Sequence, residues 1–271
     1  MTTATLTRGA ARTAPGYGFR SAAQMEWLKL RSVRSTTWIG LVFGAAMIGL
    51  AILALGHEHW ASMSAADRAS FDPVEQGFAG LAIGQLAFGV LGALVITSEF
   101  SSGMIRATLA AVPHRPLLLA AKAAVTGAVT LVIGELFAFA AFAVGEAMLR
   151  SPAPHATLGQ PGVLRAVLMA GAYPALIALI GLGIGAIIRH TAGAICAVVG
   201  LVFVLPVLVS PLSPSVQITA QKFLPDTMRN SLVAVRPFAH LFSAGLTFGL
   251  LCTYALVALA AGAWALARRD A

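Results

Sequence analysis

Hydrophobic positions along this chain come in long unbroken blocks, not at the period of two or 3.6 that marks a strand or helix apolar on one side only. No Asp, Glu, Lys or Arg occurs in the 23 residues between Arg34 and Glu58, the 23 between Glu75 and Glu99, or the 23 between Arg165 and Arg189. The same holds for the 32 residues between Arg189 and Lys222 and the 31 between Arg236 and Arg268. An apolar run of roughly 18 residues is long enough to cross the hydrocarbon core as a helix. The pattern predicts spans at 36–56, 77–97, 163–188, 192–209 and 243–266, and a further one at 123–148 that carries Glu135 and Glu146. At about 1.5 Å per residue that helix exceeds a core of roughly 30 Å, so Glu146 falls near a boundary, where it is expected to be solvated, while Glu135 falls near the middle. The predicted fold is all-α and polytopic, with six transmembrane helices. Pro174 and Pro206 lie inside spans, where a kink is tolerated if neighbours satisfy the freed backbone.

Composition removes the soluble alternatives. Charged residues make up 10% of the chain and hydrophobic residues 58%, against about 25% charged in soluble domains. Cys196 and Cys252 both sit in apolar runs, which excludes a disulfide framework or a Cys-rich metal site. The net charge of +8 is accounted for by the enrichment of Lys and Arg on cytoplasmic segments, so no nucleic-acid partner is expected; the partner that composition implies is the lipid bilayer. Six spans put both termini on one side. With that side cytoplasmic, Arg8, Arg12, Arg20, Lys29, Arg31, Arg34, Arg106, Arg115, Lys122, Arg189, Arg268 and Arg269 lie inside, against Arg68, Arg150, Arg165, Lys222, Arg229 and Arg236 outside. The expectation is a multi-pass cell-membrane protein with cytoplasmic termini, whose first span acts as an uncleaved signal-anchor. Small residues four apart (Gly40 and Gly44, Gly80 and Gly84, Gly181 and Gly185, Gly245 and Gly249) allow close helix approach, within one subunit or at a dimer face.

Three segments carry candidate chemistry. Residues 1–19 are rich in Thr, Ala and Gly and read as a disordered cytoplasmic tail, leaving 20–271 as one six-helix transmembrane domain. Residues 21–35 contain helix formers, a Glu26/Lys29 pair at i,i+3 and an interfacial Trp27, and predict an N-terminal helix lying at the membrane interface. The 24 residues 98–121 are too many for a helical hairpin turn. Ile105, Leu109 and Val112 give a short helix one apolar face; Ser101 or Ser102 is expected to cap its start, and Pro113 to Pro116 to end it. Such a projecting helix suits the docking of a soluble partner. Glu135 is either a substrate or proton site lining a pathway, or a protonated carboxyl bonded to a neighbouring helix. His57, Glu58 and His59 lack a shared helical face, so no metal site is expected there. No hydrolytic constellation appears, and no Lys follows a Gly, so the chain contains no phosphate-binding G-x-x-x-x-G-K-[ST] loop.

The run E-W-L-K-L-R-S-V-R-S-T at Glu26 to Thr36, together with S-E-F-S-S-G-M-I-R-A-T-L-A-A-V-P-H-R at Ser98 to Arg115, resembles the permease subunit of ABC-2-type ABC transporters, and most of all their actinobacterial branch. The Pro-rich segment 210–242 is similar to that family's extracellular re-entrant region. Phe223-Leu224-Pro225-Asp226 stands where the family often has Leu-Pro-Ser, with Asp226 the departure. The resemblance implies an ATP-driven exporter of two permease subunits, as homodimer or heterodimer, and two separate ABC ATP-binding subunits. ATP and Mg would sit on the ATPase, with no cofactor and no enzymatic activity on this chain. It further implies that Glu26, Lys29 and Arg31 of the N-terminal helix, and Glu99, Ile105, Arg106 and Leu109 of a cytoplasmic coupling helix between spans two and three, pass the ATPase motion to the membrane. In that arrangement Glu99 and Arg106 are polar contacts and Ile105 and Leu109 packing contacts. Two other readings stay open: a proton-coupled secondary transporter using Glu135, which lacks the expected internal repeat and paired broken helices, and a non-transporting membrane anchor for a cytoplasmic protein.

Overall fold

The computed structural model describes residues 18–56, 60, 63–238 and 240–268. His57, Glu58 and His59, most of the expected tail, and Arg269 lie outside the described residues. The described residues are helical with no strand. The helices are α1 (Phe19–Ser32), α2 (Arg34–Gly56), α3 (Ala65–Ser70), α4 (Pro73–Gly77), α5 (Leu81–Ser101), α6 (Met104–Ala111), α7 (Arg115–Met148) and α8 (Val163–Ile188), followed by α9 (Thr191–Val199), α10 (Leu205–Val209), α11 (Pro214–Gln221), α12 (Pro225–Val233) and α13 (Ala244–Arg268). A π-helical turn at Gly200–Val204 joins α9 to α10, so both belong to one span, Thr191–Val209. With α2, α5, α7, α8 and α13 this makes six helices long and apolar enough to cross a membrane among the described residues.

α8 is the hub. Sixteen of its residues are buried, and it meets three neighbours through glycines. Towards α5, Cβ atoms on Gly181 and Gly185 would stand 2.2 Å from the Gly89 carbonyl and 2.9 Å from that of Ala93. Gly171 faces α7, and a Cβ on Gly183 would lie 2.4 Å from the Ala258 backbone on α13. In lipid the solvent gives no hydrophobic reason for helices to associate, so such close backbone packing is what joins them. Gly44, Gly80 and Gly84 likewise press on neighbours within the chain, whereas Gly245 and Gly249 have nothing within 4 Å. Phe43 of α2 stacks on Phe88 of α5 with ring centroids 4.3 Å apart and fixes α2 against this core.

Helix ends differ from expectation where a charge sits inside a span. α5 runs four residues further than 97, through Glu99, and α7 begins at Arg115 rather than 123, with Lys122 two turns inside. Pro116 is no obstacle, because the first turn of a helix needs no N–H there. α6 is present, but neither Ser101 nor Ser102 caps it: Gly103, at φ 72, occupies the N-cap. Both serine hydroxyls donate to the Ser98 carbonyl instead, closing the end of α5.

The two ends of the bundle are tied by polar groups. At the end bearing the termini, Arg115 and Arg189 donate to the carbonyls of Leu266 and Ala265 at 2.7 and 2.9 Å, satisfying the last turn of α13. At the far end, the Asp72 carboxylate accepts from the N–H groups of Val74 and Glu75, capping α4, and from those of Val235 and Arg236 after α12. Arg165 donates to the Leu232 and Ala234 carbonyls. These bonds hold α12 and the residues after it to α4 and α8, with Met228, Leu232 and Val233 buried. Gln85 of α5, fully buried, donates to Asp226 at 3.0 Å and also meets the hydroxyl of Tyr173. That hydroxyl lies 3.0 Å from the Pro225 carbonyl. Glu146 is not simply solvated: its carboxylate accepts the Ala156 N–H at 3.0 Å and pairs with His155 at 3.3 Å.

Candidate coupling site

α1 presents Ala22, Glu26 and Leu30 inward at four-residue spacing, a stripe that lies along α7 and has an acid in its centre. α6 is anchored from the other side, with Ile105 packed among Ala22, Val112, Leu118 and Ala121. Between these helices and the end of α5 four charges meet, three of them buried and the fourth, Lys29, partly exposed. Glu26 and Lys122 are each 1% exposed and Glu99 is 4% exposed. The Lys122 ammonium donates to Glu26 Oε2 at 2.7 Å and to Glu99 Oε1 at 2.6 Å. The Lys29 ammonium donates to Glu99 Oε1 at 2.7 Å, to Glu26 Oε1 at 3.1 Å and to the Thr108 hydroxyl of α6 at 3.3 Å.

Two acids and two lysines cancel, and each carboxylate touches both ammonium groups. That alternation is what makes burial tolerable, because an isolated charge in this position would cost several kcal/mol. The physical result is a cross-link: α1, α5 and α7 share one set of charges, and α6 is tied to it through the Thr108 hydroxyl. Burial works against the charge of Lys29, but the Glu99 and Glu26 carboxylates outweigh it and its pKa rises above the ordinary 10.5. A value raised in the folded state contributes stability that is complete below the unfolded value and is lost as pH rises through the folded one. The melting temperature of the purified protein should therefore hold this contribution up to about pH 10.5 and lose it above. A Lys29→Met variant should lack that part of the alkaline fall; an identical alkaline profile in both would remove Lys29 from the network.

The expected site residues divide into two groups. Glu26, Lys29 and Glu99 are brought together. Leu109 is partly buried on the same small core as Ile105, so these two hold α6 to the chain. Arg106 and Met104 are exposed, on the two flanks of that buried face of α6. Arg31 is exposed and stands apart from the four charges. Glu135 is on α7, deeper in the span, with its carboxyl laid over Gly171 of α8: a Cβ on that glycine would stand 2.5 Å from Glu135 Cδ. Glu135 Oε2 is buried with no hydrogen-bond partner among the described residues.

A family model described as "ABC-2 family transporter protein" matches residues 22–207, which reach from α1 into the fifth span. The chain belongs to this family. The ABC-2 protein is thus a multi-pass membrane component of a transporter and is not itself catalytic; membrane proteins of the family typically pair with an ABC ATP-binding subunit. A comparison with curated proteins finds no match.

Lys122 and Thr108 complete the ABC-2 protein's charge cluster, and sequence reading assigns neither a role. Lys122 looks like one more basic residue at a cytoplasmic membrane flank. The available signal is depth: Glu99 lies just past one predicted span and Lys122 just before the next, so the two sit at the same level on consecutive spans.

Proposed function

We propose that this ABC-2 protein is the permease subunit of an ATP-driven exporter in the cell membrane, with both termini cytoplasmic and ATP and Mg held by a separate ABC ATPase. The observation that supports this best is the cluster of buried Glu26, Glu99 and Lys122 with the partly exposed Lys29. A partner pushing on the exposed face of α6, around Met104 and Arg106, would act on a helix fixed by Ile105 and Thr108 to α1 and to the ends of α5 and α7. Displacement of α6 would then move α5 and α7 together, and through their glycine contacts the central α8. If transport uses ATP, another chain must bind it, because the sequence contains no phosphate-binding loop. Two permease subunits, alike or different, would enclose the pathway.

Purification from the native membrane in mild detergent, followed by mass spectrometry, tests the partnership. The expected result is a stoichiometric ABC ATPase, with Arg106→Glu weakening its retention. Recovery of an intact protein with no ATPase would move the reading to a carrier or an anchor.

Glu135 supports a role on the pathway. Its buried, unpartnered oxygen is available to a substrate or a proton, and an ionisable group at mid-membrane is costly enough to imply use. Glu135→Gln keeps the shape and removes the charge. The expected outcome is a loss of substrate-stimulated ATPase activity and transport, with the complex still assembled. Unchanged activity would discard an ionised role and leave a carboxyl serving only as a hydrogen-bond donor.

A further inference from the structure

A groove of about 350 Å³ opens where α1, α2 and α7 meet. Its mouth is formed by Trp27 and Arg31 of α1 and by Thr36 and Thr37 at the start of α2. From there it descends along α7 from Val129 to Phe137, about 12 Å at about 1.5 Å per residue. The mouth lies at headgroup level, because α2 is a span that begins at Arg34. Trp27 and Trp38 are 49% and 66% exposed there, as aromatic residues at a membrane interface are. Gly40 keeps the floor low, since a Cβ there would already be in van der Waals contact with Ile133 at 3.8 Å. Leu41 and Leu136 are 53% and 65% exposed, so no part of the described chain covers the apolar stretch.

Charge identifies the occupant. Glu26 is the acid of α1, and Lys29 and Lys122 already engage it. Arg31 and Arg34 are exposed and have no ion-pair partner among the described residues. A guanidinium at headgroup level above a narrow apolar channel matches a phosphate on an acyl chain. We propose that this groove binds an anionic phospholipid, its phosphate on Arg31 and one acyl chain lying over Gly40 along Ile133 and Leu136. A second copy of the chain is a poorer fit. A symmetric contact through this face would bring each copy's Arg31 and Arg34 towards their own equivalents, and like charges oppose it. The lipid site stands independently of ATP coupling, since it uses no residue of α6 and no partner.

Native mass spectrometry of the full chain in mild detergent, with phosphatidylglycerol or phosphatidylcholine of identical acyl chains, tests it. The expected result is one phosphatidylglycerol retained per chain, at least about fivefold more firmly than phosphatidylcholine, the effect of one basic residue near an anionic surface. Arg31→Gln, at an exposed position, should erase that preference while leaving the melting temperature unchanged. Gly40→Leu should fill the channel and reduce retention of both lipids. Equal retention of the two lipids by the wild-type chain, or an unaltered preference in Arg31→Gln, would overturn the proposal. So would a Gly40→Leu protein that loses a dimer but keeps its phosphatidylglycerol, because the groove would then be a contact between copies.

Discussion

Replacing Lys122 with Met is expected to destabilise this protein by about 3–5 kcal/mol, the usual cost of removing one partner from a buried ion pair. Its side chain is wholly enclosed, and it bridges Glu26 and Glu99, 96 and 23 residues away in sequence. Without it, Lys29 alone faces two carboxylates, and Glu99 Oε2 already lacks a hydrogen-bond partner. The uncompensated negative charge should drive α1 off α7 and free α6 with it. Denaturant unfolding in micelles, followed by circular dichroism, measures the loss. A second variant combining Lys122→Met with Glu99→Gln leaves one acid and one lysine and should recover most of the stability. A single variant as stable as the wild type would mean that Lys122 is not buried between the two carboxylates.

Gly92→Ala should be nearly as damaging, for a reason that has nothing to do with charge. A Cβ at Gly92 would lie 1.8 Å from the Ala178 carbonyl oxygen, and that oxygen belongs to the backbone of a helix packed on several sides. α5 and α8 must separate to admit the methyl group, which opens the contacts of Gly181 and Gly185 in the same seam. The expected cost is about 3 kcal/mol, the upper part of the usual range for overpacking. The same methyl group at Gly245, which meets nothing within 4 Å, should change stability by less than about 0.5 kcal/mol. Equal losses at the two positions would contradict the packing of α5 on α8.

The spans were legible because lipid imposes a plain rule: a helix crossing it must be apolar for its whole length, and here the runs between charges are long enough to count. Where the rule is relaxed, the reading slipped. Glu99 and Lys122 carry the charge of loop residues, so the apolar pattern ends α5 early and begins α7 late, yet each lies inside a helix because the other cancels it. Pairing across sequence distance leaves no local pattern. Ser101 and Ser102 failed as caps for a similar reason, since their hydroxyls found the carbonyls closing α5 before they could serve α6. The inward stripe of α1 was obscured by Glu26, an acid at a position that periodicity reserves for an apolar side chain. Gln85, Tyr173 and Asp226 form another polar cluster that the sequence pattern does not assemble. There the departure from Leu-Pro-Ser noticed at Asp226 was the visible half of a contact whose other half, Gln85, lies 141 residues earlier.

The order in which the four charges are made has a consequence for biogenesis. Chains emerge from the ribosome amino end first, so Glu26 and Lys29 are synthesised long before Glu99, and Lys122 comes last. Until the third span arrives, α1 has a lysine beside its acid but no helix to lie against, and Glu99 enters the bilayer margin ahead of the lysine that will cover it. The first two spans can therefore be threaded without locking, and insertion of the third closes the latch on everything before it. A nascent chain halted before Lys122 should leave α1 open to protease, and one extended through the third span should protect it.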